Sequence, residues 1–154
     1  MIKWFESLFC ETQGFKKIKR GKVFKKGERK PIFSSKGHIT YKSISDRREA
    51  FLGKSAPKIA SILEKHGYKT QIKDSKHVGS KAKIITTLNP SKERNITQTQ
   101  VTKKGRRHGN IAYVKISTSD IGRIKIIDAK IENYIIGKDE KAKLLFRRDI
   151  NEDE

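Results

Sequence analysis

Between Ser55 and Gly67 the apolar residues Ile59, Ile62 and Leu63 recur at the spacing of one helix face, and both ends of the segment are marked. Ser55 is an N-cap residue, Pro57 suits a first turn, and Gly67 stands where a left-handed C-cap belongs, so the pattern predicts a helix over residues 56–66. A shorter helix is expected before it, because Asp46 with Glu49 three residues on makes a capping-box-like start and Gly53 closes the turn. His66, in the last turn of the second helix, is assigned a structural role, since a cation there favours the helix dipole. After Gly67 the period changes to two. Tyr68, Thr70 and Ile72 alternate with Lys69, Gln71 and Lys73, and Ala82, Ile84, Thr86 and Leu88 alternate with Lys83, Ile85 and Thr87 before Asn89-Pro90. Residues 95–102, 112–117, 123–127 and 141–146 complete the strands, with Gly122 as a turn. The segment 95–102 is unusual: Ile96 and Val101 are its only strong hydrophobes, and β-branched Thr favours a strand whose one face is too polar for a core. Helices followed by a run of strands predict an α+β domain, with N-terminal helices packed on one face of a mostly antiparallel sheet of five or six strands.

The first forty residues are poorer in apolar positions. Ile2, Phe5, Leu8 and Phe9 allow a short amphipathic helix over residues 1–12, lying on the domain's own core or serving as a membrane or partner anchor. Residues 15–30 hold nine Lys or Arg and one acid, which reads as a mobile basic arm, with a weak hairpin through Val23 and Phe24 as the alternative. Residues 31–41 read as linker, because Pro31, Ser34, Ser35 and Gly37 are breakers. His38 stands among them without a recognisable partner and is read as a surface residue. The expected organisation is a basic extension over 1–42, a domain over 43–148 and an acidic tail over 149–154.

Charge narrows the function. The 154 residues carry 37 Lys and Arg against 17 Asp and Glu, a net charge of +20 and a pI near 10.1, so a polyanion is the natural partner. Nucleic acid fits best, although an anionic membrane surface or an acidic protein would satisfy the same charge. Apolar content of 34% and a mean hydropathy of -0.74 still permit a small core from residue 50 onward. A lone Cys10 excludes an internal disulfide and suits a reducing compartment. Charge interrupts the N-terminus before any Sec-type signal length is reached, and no segment approaches the roughly 18 apolar residues of a membrane span. A soluble protein acting in the cytoplasm is expected.

The candidate chemistry centres on Lys103-Lys104-Gly105-Arg106-Arg107-His108-Gly109-Asn110, a connection suited to phosphate: glycine admits close backbone approach, the cations supply charge, and histidine transfers protons near neutral pH. Alternation places Tyr113, Lys115 and Ser117 on one side of the following strand. Thr97 and Thr99, or Gln98 and Gln100, line one side of its hairpin partner. Between Arg94 and Ile127 the only acid is Asp120, whereas an ordinary wet face would carry Glu as often as Lys. That shortage gives little support to two-metal cleavage of DNA, which needs clustered carboxylates, and no metal or other cofactor is expected. RNA needs no metal, because its 2′-OH attacks the neighbouring phosphorus once a base, an acid and positive charge are supplied. His77, in a second basic loop between Lys76 and Lys81, has the right chemistry as well.

The order of these features over residues 54–148 is a helix ending in Gly67-Tyr68, the His77 loop, Asn95-Ile96-Thr97-Gln98-Thr99-Gln100, Arg107-His108-Gly109, Tyr113-Val114-Lys115-Ile116-Ser117-Thr118 and Leu144-Leu145-Phe146-Arg147-Arg148. It resembles the toxin nuclease domains of the barnase, EndoU, colicin and RelE group, found in bacterial polymorphic and contact-dependent toxins and in phage or mobile-element proteins. The resemblance implies metal-independent cleavage of RNA, often tRNA, and an acidic immunity or antitoxin partner. It implies catalytic roles for His108, Lys115, Thr118 and Arg147. The large delivery region that the resemblance leads one to expect of an exported toxin is not among these 154 residues, which fits an excised domain, a solitary intracellular effector or a non-toxic relative. RNA contacts are expected from Lys76, His77, Lys81, Lys83, Gln98, Gln100, Lys103, Lys104, Arg106, Arg107, Tyr113 and Arg148. A non-catalytic RNA- or DNA-binding accessory protein explains the charge equally well, but leaves the meeting of an acid-poor sheet face with a His-containing loop unexplained.

Overall fold

The computed structural model describes residues 31–76, 81–105 and 111–148, apart from the side chains of Lys104 and Gly105. The expectations for residues 1–30 and for the acidic tail lie outside the described residues. Among the described residues two short α-helices and six strands follow one another, with 3-10 turns at Arg48–Ala50 and Ile131–Asn133: α1 (Tyr41–Asp46), α2 (Ala56–Lys65), β1 (Thr70–Asp74), β2 (Lys83–Thr87), β3 (Ile96–Gly105), β4 (Ile111–Thr118), β5 (Arg123–Ile127) and β6 (Lys143–Phe146). The strands lie in the sheet in chain order. Each of the first four pairings is antiparallel, and β6 alone runs parallel to its neighbour β5. The α+β architecture expected from the sequence is therefore present, with the helices N-terminal to the strands.

Helix α2 forms where its signals stand. Ser55 Oγ accepts the Lys58 N–H, Pro57 occupies the first turn, and Gly67 adopts φ +93° beyond the C-terminus. Ile59, Ala60 and Leu63 are buried and face the sheet at β1 and β2. Burying Ile59 and Leu63 contributes about 1.5–3 kcal/mol each, which a ten-residue helix requires, since it is marginal alone. His66 is structural, as expected, but not as a cation: its ring stacks on Phe33 with centroids 4.1 Å apart, and burial, with Lys65 beside it, lowers its pKa.

The start of the domain differs from the sequence expectation. Helix α1 begins at Thr40, whose hydroxyl accepts the Ser43 N–H while Ser43 Oγ accepts the Thr40 N–H, each at 3.0 Å. Asp46 ends this helix instead of opening one. Glu49 holds Arg148 at 2.7 Å. Residues 31–41 belong to the folded unit: Phe33 and Ile39 are buried in the main core, and the Tyr68 hydroxyl donates to the Gly37 carbonyl at 2.6 Å. Gly37 permits this approach, because at φ +95° a Cβ there would stand 2.8 Å from the His66 carbonyl oxygen. Breakers marked a tight path here, and two apolar side chains among them carried the packing.

The helix-covered face of the sheet contributes Ile85, Val101, Val114, Ile116, Ile124, Ile126 and Leu145 to the main core, with Ile96 at the sheet's end. The polar character of β3 is reconciled with this core by a bulge. Ile96 lies opposite Thr118 and Gln98 opposite Ser117, so Thr97 is extra and its hydroxyl donates to the Ser117 carbonyl at 3.2 Å. The shift of phase buries Ile96, Thr99 and Val101 together and turns Gln98 and Gln100 to the other face.

On that other face, the connection from β5 to β6, residues 128–142, lies over part of the sheet. Its Ala129 and Tyr134 bury Ile127, with Tyr113, Leu144 and Phe146 packed alongside. Beneath it Lys125 is buried, donating to Glu140 Oε1 at 2.8 Å and to the Tyr134 hydroxyl at 3.2 Å, with its ammonium 4.7 Å from the centre of the Tyr113 ring.

Candidate nucleic-acid interface

Antiparallel register brings the polar residues of β3 and β4 into direct opposition. Gln98 lies across from Ser117, Gln100 from Lys115 and Thr102 from Tyr113, and the ladder continues through Lys115 to Lys125 and through Ser117 to Arg123. On the other side Gln100 faces Ile84 and Gln98 faces Thr86, which in turn face Lys73 and Gln71. Residues directly opposite one another share a face. Of the two alternatives in β3, Gln98 and Gln100 therefore line the open face, while Thr99 is buried between Ile85 and Ile116. The Gln100 amide donates to Thr102 Oγ1 at 3.1 Å and to the Tyr113 hydroxyl at 3.4 Å, which holds the centre of the ladder in one arrangement.

No strand position on this face is acidic among the described residues. Lys73 and Arg123 are exposed and Lys115 is half-buried, and the one further cation, Lys125, is neutralised beneath the crossover by Glu140. Burial pushes the Glu140 carboxyl up, but the hydrogen bond and charge of Lys125, with the Ala142 N–H and Tyr134 hydroxyl, outweigh it and leave its pKa below the usual value. The open part is thus a strip of amides, hydroxyls and cations across β1 to β5.

The other residues singled out in the sequence divide between the two ends of the sheet. The connections from β1 to β2 and from β3 to β4 leave the same end, because Asp74 pairs with Lys83 and Lys83 with Val101. Lys76, Lys81 and Lys103 are exposed at this end. His77, Arg106, Arg107, His108 and the side chain of Lys104 lie outside the described residues. Lys83 is on the helix side of the sheet and forms an ion pair with Asp74. Arg147 follows Phe146 at the same end, where its guanidinium meets Asp128 at 3.0 Å. Arg148 turns to the helix side, donating to the Asp46 carbonyl at 2.8 Å and to Glu49 at 2.7 Å. It fastens the end of α1 to the sheet.

Thr118 is at the opposite end. Its hydroxyl donates to the Gly122 carbonyl at 2.7 Å and accepts the Ile121 N–H at 2.9 Å, so it is spent on the β4–β5 turn. From Tyr113 to Thr118 the chain climbs five residues, about 17 Å at strand rise, so Thr118 does not join Arg147 around one phosphate. Lys115, Gln100, Gln98 and Tyr113 are brought together as expected.

One arrangement at the Thr118 end escaped the sequence reading. His38 Nε2 lies 2.9 Å from Asp120 Oδ2, and the Asn95 amide donates to Asp120 Oδ1 at 2.8 Å. Asn95 is fully buried and also accepts the Ile39 N–H at 3.0 Å while donating to the Ile39 carbonyl at 2.9 Å. The Asn95 hydrogen bond and then His38 hold the Asp120 carboxyl below its usual pKa against the cost of desolvation. The signal available beforehand was Asp120 itself, the one acid in a stretch that otherwise lacks them. Among the described residues, no three of His, Cys, Asp and Glu converge as a metal site would require, and no helix is long and apolar enough to cross a membrane. Comparison with family models, curated proteins and solved structures finds no match to this chain.

Proposed function

We propose that this protein binds RNA along the open sheet face from β1 to β5. The observation that carries the reading is the acid-free ladder in which Gln98, Gln100, Lys115, Ser117 and Arg123 stand side by side. Cations there neutralise phosphates, while amides and hydroxyls meet 2′-hydroxyls and base edges, the groups by which single-stranded RNA is recognised. Titration of a fluorescent single-stranded RNA at 50 and 200 mM salt tests it. Binding should weaken steeply with salt, and Lys115→Ala and Arg123→Ala should each lower affinity and flatten the slope of log K against log salt by about 0.7. Equal affinity and slope in the double variant and the wild type would exclude this face.

Metal-independent cleavage of the bound RNA is the second reading. It is supported by the acid-poor face and by the run of the ladder's Thr102–Tyr113 rung into the connection that carries Arg106, Arg107 and His108. An acidic immunity or antitoxin protein would then be expected to cover the same cations. Incubation with total tRNA in EDTA tests cleavage: activity in EDTA supports this reading, and an inert protein leaves a binder.

A further inference from the structure

From the geometry at the Thr118 end of the sheet we infer that His38, oriented by Asp120, is the proton-transfer group for RNA cleavage. The inference rests on the cleavage reading above and gives that reaction a base within the described structure.

The dyad is built from several directions. Asp120 is held on both oxygens, one by His38 and the other by the buried Asn95 amide. Asn95 fixes the main chain next to His38 through both polar groups of Ile39. Ser34 fixes His38 itself, its N–H donating to the His38 carbonyl at 2.9 Å and its Oγ accepting the His38 N–H at 3.0 Å. The imidazole nevertheless keeps a third of its surface open to solvent. A fully buried amide that commits its hydrogen bonds to the main chain of the residue after His38 and to the carboxylate His38 meets is more than a surface ion pair requires. With Asp120 ionised and accepting from Nε2–H, the imidazole is held in the tautomer whose Nδ1 carries the lone pair, as a general base requires.

The position suits RNA lying along the open face. Asp120 follows Ser117 by three residues in the turn that joins β4 to β5, and the Gln98, Ser117 and Arg123 rung is the last before that turn. A strand bound along the ladder leaves the sheet at this rung, where Arg123 meets a phosphate. His38 Nδ1 then takes the proton of the 2′-OH while the O2′–P bond forms and the P–O5′ bond breaks. The leaving 5′-oxygen takes a proton from water and the imidazolium returns one to solvent. The products are a 2′,3′-cyclic phosphate and a 5′-hydroxyl, with the protein regenerated.

The test uses the full chain with a short single-stranded RNA in EDTA, reading single-turnover rate, RNA affinity and thermal stability for wild type, His38→Gln, Asp120→Asn and His108→Ala. The glutamine retains a donor toward Asp120 but takes up no proton. His38→Gln should cut the rate about a hundredfold or more with affinity and melting temperature near wild type, and Asp120→Asn should slow it at least tenfold. A His38→Gln protein that cleaves at the wild-type rate overturns the inference and leaves cleavage standing. Loss of cleavage in His108→Ala alone also overturns it, and assigns the proton transfer to His108. A wild type that binds RNA and never cleaves it removes the cleavage reading, and this inference with it.

Discussion

Removing the carboxylate that Lys125 meets under the crossover should be among the most damaging single changes in the domain. The side chains of Lys125 and Glu140 are 6% and 11% exposed, so each has given up nearly all its water and depends on the other. In Glu140→Gln the lysine keeps the Tyr134 hydroxyl and the Tyr113 ring but loses its counter-charge. Breaking a buried pair from one side costs about 3–5 kcal/mol, the larger part being the uncompensated charge. At roughly 3–6 °C per kcal/mol for a domain of this size, the melting temperature should fall by about 9–30 °C, read by circular dichroism or calorimetry. Lys125→Met with Glu140→Gln should recover much of that loss, because no charge is then buried. A Glu140→Gln protein within about 0.5 kcal/mol of wild type would refute the reasoning. The same pair sets a pH dependence. The folded-state pKa of Glu140 lies below its ordinary value of 4.5, so its contribution is full above that value and is lost as pH falls below it; Glu140→Gln should lose this acid-side decline.

Asn95→Ala should destabilise by about 2–4 kcal/mol, because it strands the buried N–H and carbonyl of Ile39 and frees Asp120; urea denaturation measures it, and a loss under 1 kcal/mol would contradict the network. Thr99→Val should be neutral or stabilising by up to about 1 kcal/mol, since Thr99 Oγ1 is buried without a hydrogen bond and valine keeps the shape; a clear loss of stability would show that the hydroxyl has a partner. Arg148→Ala should lower stability by about 1–2 kcal/mol without changing the salt slope of RNA binding, because this arginine fastens α1 and lies away from the open face.

The elements of this fold were largely readable because each carries its own local signal. Helix α2 has a cap, a proline and a glycine at the expected places, and all six strands follow a period of two or a short apolar run. The phase of β3 was not readable, because a bulge at Thr97 is set by pairing with β4 and leaves no mark in composition. Alternation alone therefore allowed either the threonines or the glutamines to face outward, and the register with Ser117 and Lys115 decided it. The candidate site was half legible for the same reason. Lys115, Gln100, Gln98 and Tyr113 share a face by strand parity, a local property. Thr118, Arg147 and Arg148 were grouped with them by residue type, and their hydrogen bonds go to a turn, to Asp128 and to the end of α1, all fixed by tertiary position. The meeting of His38 with Asp120 spans 82 residues, and no periodicity reports a contact at that range.

The parallel pairing between β5 and β6 bears on how the chain reaches this state. Strands β1 to β5 can zip in succession, each hairpin closing a short loop and presenting an edge to the next, the kind of local assembly that folds quickly. Strand β6 cannot join by a hairpin, and must wait until residues 128–142 have crossed the sheet. Until then β5 is an open edge and the cavity that receives Tyr134 is unfilled. The slow step in folding should therefore be the docking of this crossover, and the partly folded species that precedes it the one most prone to associate edge to edge.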